Sequence, residues 1–458
     1  MDDNRNRYSL DFVQSMITNE AGRFSGWYKN LALATLYQPV FSLPHRRAIG
    51  VEAILRATDS TGQQAASGGL FADVTNFSET LLLDRLCIAV HLQNFFAAHR
   101  ALDWIFVNMQ PGVFLEGNPD DTFLTDLFAK CGAAKNKVVL EVPGSALADP
   151  QRARAAVGYY RDLGCLIAID DFGAENSNLD AVWHIQPTFV KIDRSILVRA
   201  REDQAVKQMM PRVVSVLHQM GSFVVMEGVE NMIEAMIAVD SDVDFASGYY
   251  FAAPGEDASN VGESDSKLQR LWTTFKEQDK LKAEAQTTER VPLLDGILYS
   301  SFVDRLRKVS APEISKYREE RRPYLLALQH AVSRFEDGVA FERACKEFLD
   351  LDGAIRCFML NAEGRQVGLD VYSANPPDTR QMDFVMPLES QDSDWSRKDY
   401  YRRAVKEPGV VQVTRPYRSF TGYGFCVTVS LTAKTDGKLQ VICGDIDWST
   451  HSHISSLT

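Results

Sequence analysis

From about residue 31 to 258 the chain switches repeatedly between short apolar runs rich in β-branched and aromatic residues and longer amphipathic stretches. The apolar runs fall at Leu36 to Phe41, Ala48 to Leu55, Trp104 to Asn108, Val138 to Val142, Cys165 to Asp170, Phe189 to Ile192, Phe223 to Met226 and Phe245 to Phe251, each of strand length. Helix-length segments such as Glu79 to Phe96 and Asp149 to Leu163 lie between most of them. The alternation predicts an α/β fold of about eight strands, for which a TIM-like (β/α)8 barrel and an open doubly wound sheet compete. The polar residues interrupting the apolar runs favour the barrel. Glu52, Asn108, Glu141, Asp170 with Asp171, Lys191 and Glu227 each fall at or near the C-terminal end of a different predicted strand. A closed barrel gathers those ends around one mouth, whereas an open sheet spreads them along an edge. No G-x-G-x-x-G or Walker-type loop supports the open-sheet nucleotide folds.

Past Pro254 the pattern changes. Gly255 to Ser266 is a polar, acidic linker, and Lys267 to Gln286 is a charged helix-like run, read as a spacer between domains or as part of a coiled-coil contact in a homodimer. A helical stretch from Pro323 to Leu349 then precedes β-rich segments at Ala354 to Leu360, Met382 to Leu388, Val410 to Val413, Cys426 to Leu431 and Leu439 to Ile446. Helices followed by such strands predict a smaller α+β domain. The expected organisation is an N-terminal helical extension (1–30), the barrel (31–256), a linker with a spacer helix (257–300) and the α+β domain (301–458).

Composition bounds the function classes. Of 458 residues, 45% are hydrophobic and 24% charged, which is globular, and the formal charge of −12 argues against a nucleic-acid polymer or an anionic membrane as partner. No apolar run approaches the roughly 20 residues of a membrane span, and no signal core opens the chain, so a cytoplasmic protein is expected. The seven cysteines occur without a C-x-x-C pair, and Cys87, Cys131, Cys165 and Cys443 sit in apolar contexts, as reduced, buried thiols do.

The chemistry centres on Asp170 and Asp171. Adjacent carboxylates at a buried strand end repel one another unless a cation lies between them, although an isolated pair is as readily a helix cap facing water. The company of Glu52, Asn108, Glu141 and Glu227 makes a hard, oxygen-rich set suited to Mg2+ or Mn2+ rather than zinc. Two ions bridged by the acidic pair would clamp the oxygens of an in-line phosphoryl displacement, with Lys191 and Arg56 facing phosphate. Phosphodiester hydrolysis follows as one reaction class, and a magnesium-dependent barrel stabilising an enolate is the other.

Fragments in register then identify a resemblance. Tyr37-Gln-Pro, Glu52-Ala-Ile-Leu-Arg, Val107-Asn, Leu140-Glu, Ile169-Asp-Asp-Phe-Gly, Val190-Lys-Ile-Asp, Met226-Glu-Gly-Val-Glu230 and Gly248-Tyr-Tyr-Phe-Ala-Ala-Pro254 resemble, in order, the motifs of EAL domains, which bind and hydrolyse the bacterial messenger cyclic di-GMP; Ile54 replaces the Leu of the E-A-L signature. The resemblance implies that Glu52, Asn108, Glu141 and Asp170 bind one metal ion and that Asp170 and Asp171 reach a second. It implies Glu227 as general base, Lys191 as stabiliser of the attacking water, Arg56 as phosphate partner, and Gln38 and Pro254 among the ligand contacts. Asp193 would hold ligand and metal surroundings or cap the next helix, and Glu230 would support the metal site from behind or serve as a helix-start carboxylate. The product would be pGpG.

Three departures from the family pattern bear on catalysis. The loop usually reading Thr-Gly-Tyr-Ser-Ser-Leu is Ala174-Glu-Asn-Ser-Asn-Leu179, the loop-anchoring Glu is Gly144, and the Gln before Gly-Tyr-Tyr-Phe is Ser247. Binding is expected to survive these changes better than two-metal hydrolysis, so a cyclic di-GMP receptor and a metal-dependent phosphodiesterase both stand. Asp399-Tyr-Tyr-Arg402, Arg415-Pro-Tyr417 and Gly444-Asp-Ile-Asp-Trp448 resemble PAS- or Cache-like sensor modules, with Tyr400, Arg402, Arg415 and Tyr417 as candidates to line a pocket for an unknown small ligand. An EAL domain followed by such a module is similar to the YkuI type of arrangement.

Overall fold

The computed structural model describes residues 8–65, 67–74, 76–98, 104–116, 121–147, 149–174, 179–257, 264–285, 311–375, 390–420, 424–435 and 437–448. These divide into two compact units, the first running to Gln269 and taking in residues 417–420 and 424, the second holding the rest.

The first unit opens with a helix at Leu10–Ser15, followed by β1 (Ile17–Glu20) and β2 (Arg23–Tyr28), an antiparallel hairpin. The expectation of a wholly helical extension over 1–30 is thereby corrected. Ala21 and Gly22 both take positive φ (51° and 87°), the backbone a tight hairpin turn needs, and Asn19 Oδ1 accepts from Gly22 N at 2.9 Å. An Ala-Gly pair is a weak turn signal, so the hairpin is hard to see in the sequence.

β3 (Leu31–Ser42) and β4 (Arg47–Asp59) pair antiparallel, and β5 (Gln64–Ala65) adds to the edge of β4. β6 (Trp104–Asn108), β7 (Val138–Pro143), β8 (Leu166–Phe172), β9 (Phe189–Ile192), β10 (Phe223–Met226) and β11 (Phe245–Ser247) then follow one another in parallel from β4, and β11 closes antiparallel on β3. The predicted barrel is present, with eight closed strands and helices around them. It departs from a strict (β/α)8 repeat at its start, because Leu43 to Arg46 is too short a connection for a crossover helix and forces β3 and β4 to run antiparallel.

Period-two alternation sets the interior in layers. Trp104, Phe106, Phe189, Phe223 and Phe245 fill the interior below the mouth, neighbouring ring centroids lying 5.2 to 5.9 Å apart. Gly50 belongs to the same level, since a Cβ there would lie 2.7 Å from the Trp104 carbonyl oxygen. Two residues further along their strands come Asn108, Lys191 and Glu52, the polar layer that the aromatic floor holds up towards the mouth.

In the second unit an antiparallel sheet runs in the order β13 (Gln366–Tyr372), β12 (Ala354–Leu360), β16 (Lys438–Asp447), β15 (Phe425–Thr435), β14 (Gln412–Val413). One face packs on the helix Ala311–Glu336 through Leu328, Ala331, Phe348, Val427, Val429 and Ile442. Gly444 leaves room for the Phe348 ring, which a Cβ would meet at 2.4 Å. The helix predicted over Pro323 to Leu349 breaks at Gly338 (φ 86°) into the long helix and two short ones, Phe341–Ala344 and Lys346–Leu349. β13 escapes the hydrophobic pattern because it is an edge strand with mostly exposed residues, and the strand expected at Met382 to Leu388 lies outside the described residues. Ser264–Ala285 forms the expected helix after the linker. No helix among the described residues is long and apolar enough to cross a membrane.

Gly50→Ala should lower unfolding free energy by roughly 1–3 kcal/mol, as overpacking against fixed backbone does, read as a drop in the denaturant midpoint at unchanged slope.

Candidate functional site

Each polar strand end predicted to meet its neighbours at the mouth can be traced to a local cause. Asn108 closes β6 and its Nδ2 donates to Glu52 Oε1 at 3.3 Å. Glu141 sits on β7 with no exposed surface. On β8 the register slips between Ile169 and Phe172, where Asp171 adopts φ 54°, a left-handed backbone that Asp tolerates better than most residues. That bulge leaves Asp170 half-buried and Asp171 exposed, and Asp170 Oδ1 accepts from Asp171 N at 2.9 Å. Glu227 directly follows β10.

Lys191, at 2% exposure, is the hub of the site. Its Nζ lies 2.6 Å from Glu141 Oε1 and from Glu227 Oε1, 3.2 Å from Glu52 Oε2 and 3.5 Å from Asp170 Oδ1. Burial opposes the ammonium charge, but Asp170, Glu141, Glu227 and Glu52 outweigh burial and hold its pKa above the ordinary lysine value. Burial also pushes Glu141 and Glu227 upward, against the pull of Lys191 and with added repulsion from the neighbouring acids. Asp171 is raised by burial first and by Asp170 and Asp193 next. Neither Glu141 oxygen receives an aligned hydrogen bond, although Lys191 is close. A buried carboxylate with unfilled acceptor capacity suits a hard cation. The donor set is therefore of the right chemistry for a divalent ion, while the described side chains, gathered on the Lys191 ammonium, do not form a ready-made cluster of three metal-ligating His, Cys, Asp or Glu.

The remaining candidates fall outside this hub. Gln38, opposite Glu52 in the β3–β4 register, is buried and donates from Nε2 to the Ala252 carbonyl at 2.8 Å. Arg56 stands four residues, two strand repeats, beyond Glu52 on β4, half-exposed, with Glu256 Oε1 at 3.9 Å. Glu256 also takes Arg23 Nη1 at 2.7 Å; as one of several acids in the linker it gave no signal of facing Arg56. Asp193 caps the helix Arg194–Glu202, its Oδ1 accepting from Ser195 N at 2.9 Å. Glu230 is exposed and paired with Arg194 at 2.5 Å rather than with the acids. Pro254 is half-buried in the segment after β11. Of the loop after the acidic pair, Ala174 is described and Glu175 to Asn178 lie outside the described residues. Gly144 opens a 3-10 turn behind β7, and Ser247 is buried at the end of β11. In the second unit Tyr400 packs against Phe358 with centroids 5.8 Å apart, whereas Arg402 and Arg415 are exposed; Tyr417 belongs to the first unit.

Three comparisons bear on this arrangement. The family model described as EAL domain matches residues 27–254. The uncharacterized EAL-domain containing protein YkuI of Bacillus subtilis (strain 168) is 22% identical over 375 residues, 80% of this chain and 82% of that protein. The cyclic di-GMP phosphodiesterase PdeL of Escherichia coli (strain K12) is 26% identical over 264 residues, 55% of this chain and 70% of its own. The crystal structure of YkuI, in complex with c-di-GMP and calcium, has a TM-score of 0.50 at 20% identity, covering 91% of this chain and 96% of that one, a likeness of fold.

Lys191→Met should destabilise the protein by roughly 3–5 kcal/mol without added metal, since it leaves buried carboxylates uncompensated. Raised carboxylate pKa values stabilise below the unfolded value of about 4.3 and lose that effect as pH rises through the folded one, so the deficit should grow as pH rises through the range above about 4.3. Thermal melts of variant and parent across that range, with and without Mn2+, check it; a deficit independent of pH would contradict the charge argument.

Proposed function

Residues 27–254 make this chain a member of the EAL-domain family, and from that premise we propose that the barrel mouth binds cyclic di-GMP with Mg2+ or Mn2+ and hydrolyses it weakly or not at all. The observation carrying this reading is the single polar layer of Glu52, Asn108, Glu141, Asp170, Lys191 and Glu227 at the C-terminal ends of the barrel strands. The ligand class is the one in PdeL's name and in the YkuI complex.

Glu52, Asn108, Glu141 and Asp170 would hold one cation and Asp171 would help hold another. Bound there, a divalent ion supplies positive charge to phosphoryl oxygens and to an attacking water. Glu227, whose pKa burial raises, takes the proton of that water. Lys191 offsets charge developing beside it. Arg56, half-exposed on the same strand as Glu52, exchanges Glu256 for a ligand phosphate. Gln38 and Pro254 line the approach, Asp193 holds the helix that starts beyond Lys191, and Glu230 steadies that helix through Arg194.

Weak hydrolysis follows from the side chains that surround the acidic pair. Gly144 offers no carboxylate to anchor the loop after Asp171, and Ser247 is too short to reach into the mouth as a Gln would. The second unit, with its antiparallel sheet on a long helix, fits a PAS- or Cache-like sensor for a small ligand.

Incubation of the full-length protein with cyclic di-GMP and Mg2+ or Mn2+, with binding measured in parallel with Ca2+, should give tight binding and pGpG barely above a Glu52→Ala control. Product at ordinary enzyme rates, about 1 s−1 or faster, would establish the phosphodiesterase reading instead, and no binding under any metal would reject both. Gly144→Glu combined with Ala174→Thr, Glu175→Gly and Asn176→Tyr should raise turnover; unchanged turnover places the defect elsewhere.

A further inference from the structure

A second cleft, of about 840 Å3, lies outside the barrel against the helix Phe77–Ala97. Asp84 on that helix is 2% exposed and lines it. Its Oδ1 accepts from Gln110 N at 2.9 Å, and its Oδ2 has no hydrogen-bond partner among the described residues. A buried acceptor left open costs free energy unless something donates to it.

The neighbouring base does not fill that role. Arg85 turns instead to Asp121 and to the Tyr8 carbonyl, with its guanidinium 4.7 Å from the centre of the Phe123 ring. Of the acids lining the cleft, Asp121 pairs with Arg85 and Glu116 with Arg152, which leaves Asp84 and Asp126 to make the lining acidic and favour a cation. Its walls mix these polar groups with aromatic side chains, Phe77, Tyr159 and Tyr160 beside Phe123; Tyr159 and Tyr160 meet at 4.9 Å between ring centres. Burial pushes the Asp84 carboxyl up to about 7, against the hydrogen bond from Gln110 and the pull of Arg85, and an ammonium group beside it would restore the charged form.

We propose that this cleft is a second binding site, for a small aromatic primary amine whose ammonium group donates to Asp84 Oδ2 while its ring lies among the aromatic walls. A buried carboxylate under an aromatic lining supplies both the charge and the π-faces that such cations need. The site is separate from the mouth, yet Asp84 holds Gln110, two residues beyond Asn108.

Calorimetric titration of the full-length protein with tyramine, and with 4-ethylphenol as the same skeleton lacking the amine, tests this. Tyramine should bind saturably, with 4-ethylphenol and the Asp84→Asn variant weaker by roughly tenfold or more, the loss of one charge-assisted hydrogen bond. Leu81→Trp, which fills the cleft from its wall, should give the same loss if Asp84→Asn does not fold. Glu52→Gln should bind tyramine as the parent does, because the mouth is not involved. Absence of saturable tyramine binding, equal affinity for 4-ethylphenol, undiminished binding in both cleft variants, or loss in Glu52→Gln would overturn the proposal. The Glu52→Gln arm keeps this result distinct from the cyclic di-GMP reading.

Discussion

The burial of one ammonium among four carboxylates is the constraint on which the mouth of this barrel depends. Lys191 stands at 2% exposure with Glu52, Glu141, Asp170 and Glu227 within 3.5 Å. Four acids in so small and dry a space repel one another, and one lysine cannot neutralise them all. The remaining negative charge, together with Glu141 oxygens that receive no aligned hydrogen bond, gives the site its appetite for further cations. Stability and chemistry are thus coupled, since the residue that lets the acids coexist is also the one placed beside Glu227.

That cluster is held up by a floor that has no chemistry of its own. Trp104, Phe106, Phe189, Phe223 and Phe245 fill the level below, and Gly50 is spared a side chain so that Trp104 can occupy the space. Because inward positions recur every second residue, Phe106 and Phe189 lie directly below Asn108 and Lys191 and fix their height. The Asp171 bulge is the exception that breaks this period, and it does so where two consecutive acids are brought to the same strand end.

Much of this was legible in the sequence for a simple reason. A barrel strand buried on both faces reads as an unbroken apolar run, and a charged residue at its end is conspicuous against that background; Glu52, Glu141, Asp170, Lys191 and Glu227 all stood out in this way. Residues outside the barrel interior gave no comparable signal. Asp193 and Glu230 carry the same side chains as the site acids, yet one caps a helix and the other pairs with Arg194. Glu256 lies in a polar linker and still faces Arg56. β1 and β13 went unseen because an edge strand, exposed on most of its length, lacks the alternation that marks a buried one.

By itself the sequence determined the α/β alternation, the closed barrel and the identity of the residues at its mouth, because hydrophobic periodicity and strand-end polarity are local properties of a chain. Only the tertiary structure decided which of those residues share one ammonium, which turn away to caps and surface pairs, and that Asp84 ends with an open oxygen in an acidic, aromatic cleft. Those outcomes depend on distances between side chains far apart in the chain, and on the loss of water around them. Neither is written in the order of the residues.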